Sequence, residues 1–389
     1  MTGTIIADMR HGFGLLAKLH LRMMRERPEM DLMAVLLLTI ICFLGGIGLM
    51  LNHAVSEIFH RSGDAAVVLV TARGSSAGEV ESFISTSSIA NLRNSLSEAN
   101  FKKLKFNEQL VVSSSKEESG RQQFLSVRGV ATADFTSNRK VRIVEGRMFG
   151  ENRYELVVGR AALRAFPSFK VGSKIELAKQ NWLVVGIFEM AGDVRENEIV
   201  GNLEQVQYAH GAQSMVSSIR IAAANADEAL RISNAINADN ALEFTARSEA
   251  SYFEQQVKPV LQATTRLQVL IMGLMIPTAL LGLISILRVQ NLNMLDKLNM
   301  LSFIGYQGAD IRISLIVRAL VLGLVASLLT CLIVSNLVAG RSIELEMGLQ
   351  AMDIRFQAAP WIYLVIGSVS CVLAVCAAIM NKVKVELIR

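Results

Sequence analysis

One serine stands in a setting that could make it a nucleophile. Gly74-Ser75-Ser76-Ala77-Gly78 spells G-x-S-x-G after the apolar run Ala65–Thr71, and Asp193 and His210 follow in the order a serine hydrolase uses. A nucleophile elbow also needs an apolar helix directly behind the turn. Here the flanks (Thr71, Ser75, Ser85, Thr86, Ser87, Ser88) are Ser/Thr-rich, and such loops spell the pattern by chance. A hydrolase centred on Ser76 is therefore a minor reading, which an active Ser76→Ala variant would remove. Gly12-Phe13-Gly14-Leu15-Leu16-Ala17 fits the dinucleotide fingerprint in letters only, because an apolar run of membrane length follows instead of a βαβ unit. No G-x-x-x-x-G-K-[ST] occurs, so no Walker site is expected. No H-E-x-x-H occurs either, and His210 is the only histidine after His60, which leaves no histidine set for a metal. Arg195-Glu196-Asn197-Glu198 reads as a solvated or interfacial loop rather than a carboxylate pair doing acid–base work, and Lys102, Lys103 and Lys105 as a solvated face. The sequence predicts no catalytic residue, no metal ligand and no cofactor of the chain's own.

What these residues sit on follows from composition. The 389 residues are 52% hydrophobic and 19% charged, with a mean hydropathy of +0.40. Soluble domains carry about 25% charge, so the chain reads as an integral membrane protein. Four uncharged runs, Leu32–Leu51, Leu267–Leu287, Ala319–Gly340 and Pro360–Met380, reach the roughly 20 residues that cross a bilayer as helix. The first is too long, and too far from the start, for a cleaved signal core. All four cysteines (Cys42, Cys331, Cys371, Cys376) lie inside these runs. A disulfide or thiolate metal site between the first two runs is thereby excluded.

Lys and Arg set the orientation. They crowd segment 1–31 (Arg10, Lys18, Arg22, Arg25, Arg27), loop 288–318 (Arg288, Lys297, Arg312, Arg318) and tail 381–389, whereas 341–359 has only Arg341 and Arg355 against three acids. Both termini are expected in the cytoplasm, and segment 52–266 on the far side. That location excludes nucleic acid as a partner. Segment 1–31 reads as a basic amphipathic helix on the cytoplasmic membrane surface, ending near Pro28.

Segment 52–266 alternates strand and helix patterns. Ala65–Thr71, Leu110–Ser113, Ser218–Ala222 and Ala241–Thr245 read as strands, and Ser85–Ala99 and Ala226–Ala238 as helices. Between them Phe124–Val130, Val141–Val144, Glu155–Val158, Lys174–Leu177 and Trp182–Phe188 form short strands punctuated by glycine. The spacing predicts two β-α-β pieces around an all-β insertion, and a last helix running from about Glu249 through Pro259 into the second span. In loop 288–318, Leu292, Leu295, Leu298, Met300, Leu301 and Ile304 precede Gly305-Tyr306-Gln307-Gly308, a greasy helix with a glycine cap. It would pack on the membrane or insert into a partner's groove.

This layout resembles the FtsX/MacB-type (type VII, mechanotransmission) ABC transporter permeases without a fused ATPase domain. Local strings agree: Val127-Arg128-Gly129-Val130 with Val144-Glu145-Gly146-Arg147-Met148-Phe149, then Glu155-Leu156-Val157-Val158-Gly159-Arg160, Val171-Gly172, Trp182–Phe188 and Glu196-Asn197-Glu198-Ile199. The fold class expected is an α-helical membrane protein with four transmembrane helices and a large α+β periplasmic domain. That domain would combine a porter-like subdomain (about 62–125 and 213–258) with a β insertion (126–212). The resemblance implies a permease subunit of an efflux or export system in the bacterial inner membrane. It would act as a homo- or heterodimer with a cytosolic ABC ATPase that binds the ATP, a periplasmic adaptor (membrane fusion) protein and an outer-membrane channel. It also implies an ATPase-coupling helix carrying Leu295, Lys297, Leu298, Leu301, Ile304 and Gly305, and it makes Arg195, Glu196 and Glu198 candidates for partner or chamber contacts. The alternative is an FtsX-like regulator that recruits or activates a periplasmic cell-wall hydrolase.

The resemblance departs at two positions, where Lys297 and Arg318 stand in place of family acids. A base at the coupling helix implies a matched ATPase or a second, different permease chain. Lys297→Glu is then expected to weaken ATPase binding in a pull-down, and unchanged binding would remove the argument.

Overall fold

The computed structural model describes residues 28–75, 78–101, 104–118, 121–293, 308–347 and 350–381. The chain divides into two compact units. A helical unit takes its described parts from Met1–His53, Gln262–Arg341 and Phe356–Arg389, and a strand-rich unit comprises Ala54–Leu261 and Ser342–Arg355. Elements run α1 (Pro28–Ser62), β1 (Val67–Ala72), β2 (Ile84–Ser85), α2 (Thr86–Glu98), β3 (Phe106–Glu118) and β4 (Arg121–Val130). Next come α3 (Thr132–Thr136), β5 (Arg142–Gly146), β6 (Glu155–Gly159), α4 (Ala162–Ala165), β7 (Lys174–Leu177), β8 (Gln180–Glu189), β9 (Glu198–Asn202) and α5 (Leu203–Ala209). The chain continues through β10 (Met215–Val216), β11 (Ser218–Ala222), α6 (Ala226–Ala238), β12 (Phe244–Ser248) and α7 (Glu249–Asn293). It closes with α8 (Gly308–Ile333), β13 (Ser342–Met347), β14 (Gln350–Arg355) and α9 (Pro360–Met380).

Among the described residues, four helices are long and apolar enough to cross a membrane: Pro28–Ser62, Glu249–Asn293, Arg312–Val338 and Pro360–Met380. They coincide with the four uncharged runs. Small residues line their mutual contacts, Ala34, Ala279, Ala326, Ala374 and Ala377 among them, interleaved with Leu38, Leu283 and Leu322. Small side chains let helix backbones approach closely where no hydrophobic effect drives association. Large apolar residues such as Leu270, Leu274, Leu328 and Leu364 face outward, the arrangement expected of helices solvated by lipid. Helix α7 is unbroken over 45 residues and passes through Pro259 and Pro277, as the sequence predicts.

The strand-rich unit is built on one ten-stranded sheet of order β12-β1-β11-β3-β4-β9-β6-β8-β5, with β7 added on β8. Strands β12, β1, β11 and β3 are antiparallel neighbours, so β1-α2-β3 and β11-α6-β12 interleave as a split βαβ pair. Both helices pack on one face, where Ile89, Leu92 and Leu96 of α2 and Ala229, Ile232 and Ile236 of α6 meet Val68, Val70, Ile219, Ile221 and Phe244. Ser85 caps α2 by accepting from Ser88 N, and Asn225 caps α6 by accepting from Glu228 N. The remaining strands enclose a second core around Leu156, Val158, Phe169, Trp182 and Ile199.

Three expectations need correction. The insertion 126–212 is not all-β: it carries α3, α4 and α5, and α5 starts because Asn202 accepts from the backbone N–H groups of Glu204 and Gln205. The stretch read as a charged loop, Arg195–Glu198, is a 3-10 turn that runs into a central strand, β9, paired parallel to β4 and antiparallel to β6. Segment 341–359 holds a hairpin, β13–β14, whose second strand lies beside β4 and α4.

Gly159 ends β6 where a Cβ would lie 2.0 Å from the carbonyl oxygen of Glu196. Backbone cannot yield there as a flexible side chain could. Gly159→Ala is expected to cost about 1–3 kcal/mol by overpacking, read as a lowered midpoint in denaturant unfolding of the purified chain. Gly367→Ala, which meets nothing within 4 Å, serves as the control. Equal stability of the two variants would contradict the close approach.

Candidate functional site

Strand periodicity puts alternate residues of β11, β3, β4 and β9 on the sheet face away from α2 and α6. In register those residues are Ser218 and Arg220, Gln109, Arg128 and Glu198. All are buried. A buried charge is tolerated only with partners that replace its hydration, and these side chains supply one another.

Arg128 sits between two carboxylates and bonds both in fork geometry. It donates to Glu198 from Nε (2.5 Å) and Nη2 (2.8 Å), and to Glu79 from Nη1 (3.2 Å) and Nη2 (3.1 Å). Its Nη1 also donates to Gln109 Oε1 at 2.7 Å. Glu79 comes from a single 3-10 turn, Gly78–Glu81, and accepts in addition from Ser218 Oγ and from Arg220 Nη2. Arg220 donates from Nε to Glu249 Oε1 at 2.9 Å. Glu249 receives Arg195 as well, at 3.1 Å. Arg195 in turn forks onto Asp193 through Nε (2.8 Å) and Nη2 (2.7 Å). Three guanidiniums and four carboxylates thus form one continuous buried chain.

The ends of two long helices close this cluster. Arg195 Nη2 donates to the carbonyl of Ser62, the last residue of α1, and Val194 N donates to Ser62 Oγ at 2.7 Å. Glu249 is the first residue of α7, and Tyr252 one turn on accepts from Glu79 N at 3.0 Å. Phe59 and Phe253 pack ring to ring beside them. One set of side chains therefore ties both helix ends to the split βαβ half and to the insertion.

Electrostatics hold the charges in place. Burial works against ionisation of Glu79, but Arg128 and Arg220 outweigh it and keep the carboxyl far below the usual range. Burial likewise opposes the Arg128 charge, which Glu198 and Glu79 more than restore. The Tyr252 phenol is pushed up by burial and by the Glu79 charge. Away from the cluster, hydrogen bonds from Arg147 hold Glu155 at about 2. A cavity of about 240 Å³ opens beside the cluster, lined by Arg128, Arg195, Arg220, Glu249, Lys105 and Lys140.

The positions singled out in the sequence fare differently. Arg195 and Glu198 are buried and ion-paired, Arg195 with Asp193 and Glu249 and Glu198 with Arg128, which corrects their reading as a solvated or interfacial loop, while half-buried Glu196 accepts from the N–H groups of Met190 and Gly192. Leu295, Lys297, Leu298, Leu301, Ile304 and Gly305 lie outside the described residues, as does Ser76. Asp193 is taken up by Arg195. Among the described residues, buried His210 Nε2 has no partner, and both carboxylate oxygens of Asp193 accept from Arg195, which is not the arrangement of a hydrolase triad. No group of His, Cys, Asp and Glu among the described residues could hold a metal. Sequence reading missed Glu79, Arg220 and Glu249; their only signal was charge inside or beside a strand pattern.

Removing Arg128 strands Glu198 and leaves Glu79 with one of its two guanidiniums, Arg220. Arg128→Met is expected to destabilise the chain by about 3–5 kcal/mol, measured by denaturant unfolding, and a loss under 1 kcal/mol would show that the cluster does not hold. Carboxyls with lowered folded pKa values contribute stability above their unfolded value, and that contribution is lost as pH falls. For Glu155 the window runs from 4.5 down to about 2. The unfolding midpoint should drop through that window, and Glu155→Gln should flatten part of the drop.

No curated protein matches this chain. Among solved structures, it is similar to the periplasmic region of MacB from Actinobacillus actinomycetemcomitans, at 11% identity and a TM-score of 0.37, over 52% of this chain and 97% of that one. It is also similar to the extracellular domain of the noncanonic ABC-type transporter YknZ from Gram-positive bacteria, at 13% identity and a TM-score of 0.34, over 47% and 100% of the two chains. The family model of the MacB-like periplasmic core domain matches residues 35–239, from within α1 to the end of α6. That stretch is more than half of the chain and holds every member of the buried cluster except Glu249 and Tyr252, and the chain belongs to the MacB-like family of ABC transporter permeases.

Proposed function

We propose that this chain is the membrane permease subunit of an ABC-type efflux or export system. Members of this family work with a cytosolic ATPase, and in this reading it is a separate subunit that drives the chain. In this reading the chain crosses the inner membrane four times with both termini in the cytoplasm, and the strand-rich unit lies in the periplasm. The observation that carries the proposal is the convergence of α1 and α7 on one buried cluster. Movement of either helix end strains Arg195 and Arg220, and through them both halves of the sheet.

The chemistry belongs to the partner. ATP binding and hydrolysis by two ATPase subunits push on segment 292–305 of a permease dimer. Helices α1 and α7 pass the stroke outward as continuous rods, and the strand-rich units open and close a chamber that works with an adaptor and an outer-membrane channel. No substrate needs to enter the membrane helices. The permease itself catalyses nothing.

Pull-down of the tagged chain from its native membrane, with mass spectrometry and an ATPase assay, tests this. The expected result is an ABC ATPase whose turnover depends on the permease chain, with adaptor co-eluting. Recovery of cell-wall hydrolases with little ATP turnover would overturn export in favour of the regulator.

A further inference from the structure

Among the described residues, the helical unit buries one ion pair. Arg318 of α8 donates from Nη2 to Asp31 Oδ1 of α1 at 2.7 Å, and Gln290 of α7 donates to the same oxygen at 3.0 Å. Asp31, Gln290 and Arg318 are exposed by only 7%, 3% and 4%. Asp31 and Arg318 directly precede the uncharged runs that begin at Leu32 and Ala319, and Gln290 lies three residues past the run that ends at Leu287. The trio therefore sits at one rim of the apolar band, where α1 begins, α7 ends and α8 begins. An ionisable group at such depth is costly unless paired, so its presence calls for a role.

A second polar contact lies at the other rim. Asn52 of α1 donates to Gln268 Oε1 of α7 at 3.1 Å and accepts from Thr264 at 2.5 Å, while Gln268 donates to the carbonyl of Gly45 at 3.2 Å. Asp31 and Asn52 are about 32 Å apart along a helix rising 1.5 Å per residue. Helix α1 is thus fastened to α7 at both rims. Helices α8 and α9 form the other close pair: Ser370 donates to the carbonyl of Gly323 at 2.8 Å, and a Cβ on Gly323 would meet the Cys371 backbone at 3.1 Å. Among the described residues, Asp31–Arg318 is the one charged link between the two pairs.

We propose that Asp31 and Arg318 form a latch that makes the α1/α7 pair follow α8. Segment 294–307 joins α7 to α8, so a push on it reaches Gln290 and Arg318 within a few turns. The latch hands that displacement to α1, the helix that ends on the buried cluster. Without it, apolar packing and the Cys42 Sγ contact with the Ile366 carbonyl tie α1 to α8 and α9, and α1 follows them less closely. This assignment rests on the permease reading for the source of the push; the pairing itself does not.

The test uses the full chain in lipid nanodiscs, with its four cysteines replaced and spin labels at lipid-facing Leu36 of α1 and Leu324 of α8. Asp31→Asn and Arg318→Met are each expected to lower the thermal midpoint by about 5–10 °C and to broaden the interlabel distance. The charge-exchanged double variant, Asp31→Arg with Arg318→Asp, is expected to restore most of both. Losses that simply add in the double variant would overturn the latch. With the co-purified ATPase, Arg318→Met should keep ATP turnover within about twofold of the parent while the label distance changes with nucleotide, whereas the parent's distance stays fixed. Equal nucleotide responses in parent and variant would overturn the transmission role. Because the melts and resting distances need no ATPase, a chain that recruits none would refute the permease reading and leave the pairing result standing.

Discussion

Three buried arginines, two on the sheet and one on a turn beside it, dictate much of this structure. A guanidinium cannot shed its charge, so each must meet carboxylates wherever the fold hides it. Arg128, Arg195 and Arg220 satisfy that demand with Glu79, Asp193, Glu198 and Glu249, and the seven residues bring together five separate pieces of chain. Such a cluster adds little net stability over a well-packed apolar core, because desolvation offsets most of the attraction. What it contributes is placement: forked bonds have direction, and apolar contacts do not. The ends of α1 and α7 are held at fixed points rather than by interchangeable grease.

That distinction fits the mechanical role proposed for the chain. Apolar packing lets helices slide by small steps, whereas a forked ion pair either holds or breaks. The polar contacts inside the helical unit have the same character, with Asp31, Asn52, Gln268 and Arg318 binding helices at set heights. A stroke arriving at one rim would then be carried by few, stiff, directional contacts. The long helices need no break to do so, since α7 absorbs both of its prolines without interruption.

Much of the architecture was legible in the sequence because ordinary periodicity governed it. The four uncharged runs returned as helices, and Lys174–Leu177, Ser218–Ala222 and Ala226–Ala238 returned with the predicted bounds. Strand β9 was not legible, for a physical reason. Its first residue, Glu198, occupies a buried position that the rules of alternation reserve for an apolar side chain, and only a partner 70 residues away in the chain makes it acceptable. Arg195 misled in the same way: charge in a short polar string reads as solvent exposure when its partners are distant. The hairpin β13–β14 was hidden by its mixed acidic and apolar composition. Resemblance reached further than pattern, since its strings contain Arg128, Arg147, Glu155 and Glu198, the residues that turn out to be ion-paired.

One buried cluster welds two helix ends to both halves of the sheet. Hydrogen–deuterium exchange on the full-length chain, comparing the parent with Arg195→Met, tests it most directly. The account predicts that protection is lost together at the turn around Asp193–Glu198, at the end of α1 near Ser62, and through the first two turns of α7 from Glu249. Loss confined to the turn alone would contradict it, because the helix ends would then be held by something other than these charges.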